Sequence, residues 1–325
     1  MGALDLVFAT KPESERLHQA ALMVLIERTP LLGVLTGIPL KGPTVTWEPE
    51  QGTFDLMVEG ADGQRVLIEL KIDSVLSRRQ ILAQLEHEAV TSGGTPVYLL
   101  LGTSGISRGS RWGQWKWILG EKPRPAIFDA TALTAAVQAA VASETDADVR
   151  DLAASYVRLV ERLSTRARSF VGKQVDAFEY HDYLGYFDEL RQAVDFGTGS
   201  TVEYVPNAAG GFVCCAWEGI PTEVGGLYLQ FEERHLCLKL WVDDMAKGER
   251  PAARRAAVEA ALAAATDFPN LGIEAARGRA GESMTLVWLT GVRLAADPRD
   301  EKLASSLREA HAFVMATAAR LQSQQ

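Results

Sequence analysis

Asp55, Glu69 and Lys71 are the residues whose types and spacing suit chemistry at a phosphate. They lie in the segment FDLMVEGADGQRVLIELKI, residues 54–72. Val66, Ile68, Leu70 and Ile72 alternate with Glu69 and Lys71, so a strand places the acid and the amine on one face and the apolar side chains on the other. Phe54, Leu56 and Val58 alternate in the same way and leave Asp55 on the opposite face from themselves. Asp62-Gly63 between the two runs is a hairpin-turn dipeptide. With thirteen residues between Asp55 and Glu69, a short hairpin brings both carboxylates to one place with Lys71 beside them. Two carboxylates suffice for Mg²⁺, a hard cation that takes oxygen ligands and keeps several waters. A neighbouring ammonium can then orient a water or stabilise charge building on a phosphate. The competing structural reading is an exposed Glu69–Lys71 pair, which contributes under about 1 kcal/mol.

The Asp on one strand and the Glu-x-Lys on its neighbour resemble the core of the PD-(D/E)xK nuclease superfamily. The run IELKIDSVLSRRQILAQLEHEA (68–89) is similar to the "IExKI, then a helix with QL" pattern of one prokaryotic branch. ERLHQAALMVLI (15–26) is similar to that branch's N-terminal "E-x-x-H" helix, and the resemblance covers about residues 1–130. Leu70 stands where the branch often carries Asn, and Glu88 where an aromatic usually closes the QL helix. The resemblance implies a metal-dependent phosphodiester hydrolase that uses Mg²⁺, with Mn²⁺ as a substitute. It implies Asp55, Glu69 and the backbone carbonyl of Leu70 as metal ligands, with Glu15 helping to bind a second cation. Lys71 and Gln84 join Asp55 and Glu69 as catalytic residues, Gln84 by contacting phosphate or the lysine. Glu15 also reads as an ordinary first-turn acid favoured by the helix dipole. His18 reads as a packing residue, His87 as surface, and Asp73 as lying beyond the metal.

Around these residues the periodicity predicts a helix over 11–27, strands over 45–48, 54–59 and 66–72, a helix over 77–89 and a strand over 96–103. The near-continuous apolar run PVYLLLGT marks a strand covered on both faces, pairing in parallel with 66–72. The expected fold class is α/β with the order αβββαβ over residues 1–130, which the resemblance implies is a restriction-endonuclease-like mixed sheet core. Two helices over 131–143 and 146–168 are expected to form a connector running to about 175. A second α+β domain with an antiparallel sheet is expected over 176–325, with strands at TVEYV, GFVCCAWEG, GLYLQFEER, HLCLKLWVD and MTLVWLTGV.

At 325 residues the chain is long enough for two domains. No apolar run approaches the roughly 18 residues of a membrane span, and the N-terminus lacks the features of a signal peptide. Cys214, Cys215 and Cys237 read as buried thiols in a reducing compartment, which places the protein in the cytoplasm. There is no GxxxxGK[ST] loop, GxSxG elbow, HExxH or dinucleotide fingerprint. The net charge of −9 argues against a surface coated for DNA. A local basic path is still available at Arg78 and Arg79, and at Arg108, Arg111, Lys116, Lys122 and Arg124, interleaved with Trp112, Trp115 and Trp117. The expected partner is nucleic acid, DNA ahead of RNA, with a protein partner or second copy at the C-terminal domain and no membrane. The rival expectation is a catalytically idle nuclease-fold subunit that binds a partner, which the acidic balance favours.

Overall fold

The computed structural model describes residues 14–47, 54–72, 78–105, 125–197, 199–205, 211–242, 245–278 and 280–323. They form two compact units, Met1–Ala167 and Arg168–Gln325.

The first unit is built on a mixed five-stranded sheet in the order β1-β2-β3-β4-β5. Its strands are β1 (Thr44–Trp47), β2 (Leu56–Glu59), β3 (Arg65–Ile72), β4 (Thr95–Leu101) and β5 (Ala126–Asp129). β1, β2 and β3 form an antiparallel meander, and β3, β4 and β5 run parallel. β2 and β3 are joined through residues 60–64, where Gly63 adopts the left-handed conformation (φ 78°) and Asp62 Oδ1 accepts the N–H of Gln64. The turn chemistry is therefore as expected, although the loop is longer than a two-residue hairpin: Glu59 is the last residue paired, opposite Arg65.

One face of this sheet carries Leu56, Val58, Val66, Ile68, Leu70, Ile72, Val97, Leu99 and Leu101, all buried. These side chains share a core with helices α1 (Glu15–Arg28), α2 (Leu31–Thr36), α5 (Ala130–Ala140) and α6 (Ala147–Arg166). The opposite face is covered by α3 (Arg78–Leu85), which with Tyr98, Leu100 and Ile127 forms a smaller cluster through Ile81 and Leu85. β4, covered on both faces, reads as the unbroken apolar run it is.

Several expectations need correction. The helices expected to form a connector over 131–175 belong to the first unit, because Leu133, Val137, Tyr156, Val160 and Leu163 complete its main core. They are capped by Asp129, which accepts the N–H of Ala132, and by Asp146, which accepts that of Asp148. The helix expected over 77–89 is two: α3 and a short α4 (Glu88–Thr91). His87 makes the break, because its Nδ1 accepts the N–H of Ala89 and starts a new helix. It also packs its ring against Phe54 at 6.2 Å, so it is half-buried rather than a surface residue. β5 was not expected.

The second unit holds a seven-stranded antiparallel sheet, β11-β12-β10-β9-β7-β6 with β8 paired to β9. Its strands are β6 (Ser200–Val205), β7 (Phe212–Trp217), β8 (Ile220–Thr222), β9 (Gly225–Glu232), β10 (His235–Trp241), β11 (Ile273–Ala275) and β12 (Ser283–Leu289). The helices are α7 (Tyr180–Ala193), α8 (Arg250–Ala264) and α9 (Glu301–Ser323). Leu227, Leu229 and Phe231 face one way, and Phe231 stacks on Phe187 of α7 at 5.8 Å. Tyr228, Gln230 and Glu232 face the other way, where Lys239 donates to Glu232 at 2.7 Å. The three cysteines are free and buried on β7 and β10 as expected, and burial pushes their thiols well above the usual range. Among the described residues no helix is long and apolar enough to cross a membrane.

Gly94, at the entry to β4, tests the packing that sets the register of the central strands. A Cβ there would collide with the carbonyl oxygen of Ala89 and press on Leu67 Cδ1 at 3.1 Å. Gly94→Ala is expected to destabilise the protein by about 1–3 kcal/mol, read as a lowered midpoint in urea unfolding with an unchanged slope.

Candidate active site

β3 is the middle strand of its sheet, so any polar side chain on it is buried unless something opens above it. Glu69 is 3% exposed, and Lys71 forms an ion pair with it, Nζ to Oε1, at 2.5 Å. The alternation read from the sequence is correct: Leu70 and Ile72 enter the main core, while Glu69 and Lys71 face α3. Glu69 is buried and Lys71 half-buried, so an exposed strand pair does not describe them.

Asp55 sits just before β2, at the point where that strand leaves β3. Its backbone N–H donates to the carbonyl of Ile68 at 2.9 Å, and its Oδ2 accepts the N–H of Leu70 at 2.6 Å. The carboxylate therefore takes the place of a strand partner and is fixed against β3. A strand residue sends its N–H and C=O toward the same neighbour. The Leu70 carbonyl thus leaves β3 on the edge where Asp55 stands.

Two helices hold the carboxylates. Gln84 donates to Glu69 Oε2 at 2.8 Å and Gln80 to Glu69 Oε1 at 2.5 Å, both from α3. Their spacing of four puts them on one helix face. Gln84 is 1% exposed, and its amide hydrogen bond goes to the glutamate rather than the lysine. From α1, Gln19 donates to Asp55 Oδ1 at 2.8 Å.

Gln19 and Gln80 are the two site residues that sequence reasoning missed as members. The signal for Gln19 was present, because it lies one helical turn after Glu15 on the same face. Glu15 is half-buried, and its charge is one of those acting on Lys71. His18 is a packing residue as expected, buried with its Nδ1 3.3 Å from Tyr156 Oη. Tyr98 on β4 pairs in register with Glu69 and is fully buried, and its hydroxyl has no hydrogen-bond partner among the described residues.

Burial, followed by the charge of Asp55, pushes the Glu69 carboxyl up to about 7, against the opposing pull of Lys71 and Gln84. Burial works against the Lys71 ammonium, but Glu69, Glu15 and Asp55 outweigh it and hold the amine above its ordinary value. Burial and the Glu69 charge push the Tyr98 phenol up as well. Two acids repelling each other beside one ammonium form a site short of positive charge. Asp55, Glu69 and the carbonyl of Leu70 are the groups that could hold a cation there. Among the described residues no three His, Cys, Asp or Glu side chains form a cluster able to hold a metal, so Glu15 does not complete a three-acid set with Asp55 and Glu69. Asp73, the Arg108–Arg124 cations and the three interleaved tryptophans lie outside the described residues, and so do the side chains of Arg78 and Arg79. No family model, curated protein or solved structure matches this chain.

The raised Glu69 carboxyl fixes the sign of a pH effect. A folded-state value of about 7 against 4.5 for the free group means that the folded protein binds the extra proton. The Glu69 contribution to stability is therefore fullest below about pH 4.5 and is lost as pH rises through about 7. In the absence of divalent cations, thermal melts from pH 5 to 8 are expected to show this fall in the wild type and a flatter profile in Glu69→Gln.

Proposed function

We propose that the first unit is a Mg²⁺-dependent nuclease with a restriction-endonuclease-like core, hydrolysing phosphodiester bonds of nucleic acid, with DNA the expected substrate ahead of RNA. The observation that carries this reading is the ion pair of buried Glu69 with half-buried Lys71 on the middle strand, with Asp55 fixed against the intervening Leu70 N–H. Structural needs alone do not account for it. Removing two charges from water costs several kcal/mol per ion, and apolar residues of similar volume often serve stability as well or better.

The donor set fits a hard divalent ion. Two carboxylates and a carbonyl are all oxygen ligands, and Mg²⁺ uses one or two carboxylates with waters and substrate phosphate for the rest. The fit also rests on charge, since burial and then the Asp55 charge raise Glu69, and a cation relieves that repulsion. When bound, the ion supplies neutralisation of the phosphate and activation of water.

The side chains of this chain supply the rest. Asp55 presents its oxygens from just before β2, and Glu69 from β3. Gln80 and Gln84 keep the Glu69 carboxylate in one orientation, and Gln19 and the Leu70 N–H do the same for Asp55. The Lys71 ammonium stays protonated and close to Glu69. From there it can orient the attacking water or steady the charge on the phosphorane oxygens. At about 4 Å and an effective dielectric near 20, such a charge is worth roughly 4 kcal/mol before desolvation. Arg78 and Arg79 open α3 and bring two cations into the chain just after the site strand. The second unit serves in this reading as the substrate- or partner-binding part, and roles in restriction, repair or phage defence fit the activity.

The net charge of −9 supports one rival, an idle nuclease-fold subunit that acts through a protein partner. Cleavage of linear, circular and single-stranded DNA and of RNA, with Mg²⁺ or Mn²⁺, separates the two. The expected result is metal-dependent cutting of DNA that Lys71→Ala and Glu69→Ala each lower by at least about 100-fold. Folded wild type that cuts nothing would move the assignment to the partner-binding subunit. Cutting that survives both substitutions would place the chemistry elsewhere.

A further inference from the structure

Gln19 sits in the site with only one end of its amide engaged. The Nε2 donates to Asp55 Oδ1 at 2.8 Å, while the Oε1 is buried and has no hydrogen-bond partner among the described residues. The residue is 2% exposed. Chemistry forces this orientation, because turning the amide over would set Oε1 against the Asp55 carboxylate, acceptor against acceptor. A buried acceptor left without a donor costs about 1–3 kcal/mol, and a packing role at this position needs no oxygen at all.

The missing group must be a donor. The oxygens of a phosphodiester are acceptors only, so the substrate's phosphate cannot supply it. A hydrated divalent cation can, because the waters that Mg²⁺ retains carry O–H groups directed outward. We propose that Gln19 is a positioning residue of the cation site, fixing Asp55 through Nε2 and accepting an O–H from the ion's hydration shell through Oε1. It thereby joins α1 to a site otherwise built from the sheet and α3, and it contributes to affinity without touching the metal. This inference rests on the metal-site reading above.

The test is calorimetric titration of Mg²⁺ and Mn²⁺ into the full chain without substrate. Wild type is expected to bind, and Asp55→Asn to lose binding. Groups of this kind typically contribute 10–100-fold to metal affinity, so Gln19→Met should weaken binding at least tenfold. Gln19→Glu loses the bond to Asp55 but keeps an oxygen toward the waters, so it is expected to bind more weakly than wild type and more tightly than Gln19→Met. If Gln19→Met does not fold, Gln19→Asn, whose shorter side chain withdraws both groups, takes its place. Gln19→Met binding as tightly as wild type would overturn the inference and leave the metal site standing. Gln19→Glu binding as weakly as Gln19→Met would also overturn it, because only the bond to Asp55 would then matter. A wild type that binds neither ion would overturn the metal-site reading and this inference together.

Discussion

A carboxylate and an ammonium on the middle strand of a sheet are the constraint around which the first unit is organised. Every other described position of β3 after Arg65 is apolar, and a charge placed there loses its water. An isolated buried ion would neutralise or unfold its surroundings. Glu69 is therefore surrounded by donors: Lys71 from its own strand, and Gln80 and Gln84 from α3. α3 covers this face with glutamines as well as with Ile81 and Leu85, so the helix that closes the smaller core also holds the acid. The compensation is incomplete, because burial and Asp55 still push the Glu69 carboxyl up to about 7. A site held in this state gains from a cation, and that links the electrostatics of the sheet to the proposed chemistry.

The geometry also explains why Asp55 lies outside β2 rather than within it. Where β2 separates from β3, the Leu70 N–H loses its strand partner, and the Asp55 carboxylate accepts it in place of a carbonyl. The Leu70 carbonyl leaves β3 on that same edge. The ladder is therefore interrupted beside Asp55, and the Leu70 N–H that leaves it is satisfied by the carboxylate rather than left as a cost.

The central elements could be read from sequence because each rests on local rules. Alternation over 65–72 placed Glu69 and Lys71 on one face, Asp62-Gly63 located the turn, and the apolar run at 96–101 gave a strand covered on both sides and parallel to β3. What escaped depended on how elements dock. Nothing local separates a connector helix from one that completes a core, so α5 and α6 were assigned outside a unit to which Leu133, Tyr156 and Leu163 bind them. The break at His87 depends on a histidine acting as a cap, without the Gly or Pro that usually marks one. Gln19 shares a helix face with Glu15, but only the way α1 meets β2 and β3 shows that its amide reaches Asp55. The four residues of β5 are too few to show a period, and the sheet itself makes them a strand.

The most direct test of the central claim is the anomalous scattering of Mn²⁺ in crystals of the full chain. The account predicts a peak coordinated at about 2.1 Å by carboxylate oxygens of Asp55 and Glu69 and by the carbonyl of Leu70. Crystals containing Mn²⁺ with no peak at these three residues, and with the Glu69–Lys71 pair intact, would contradict it.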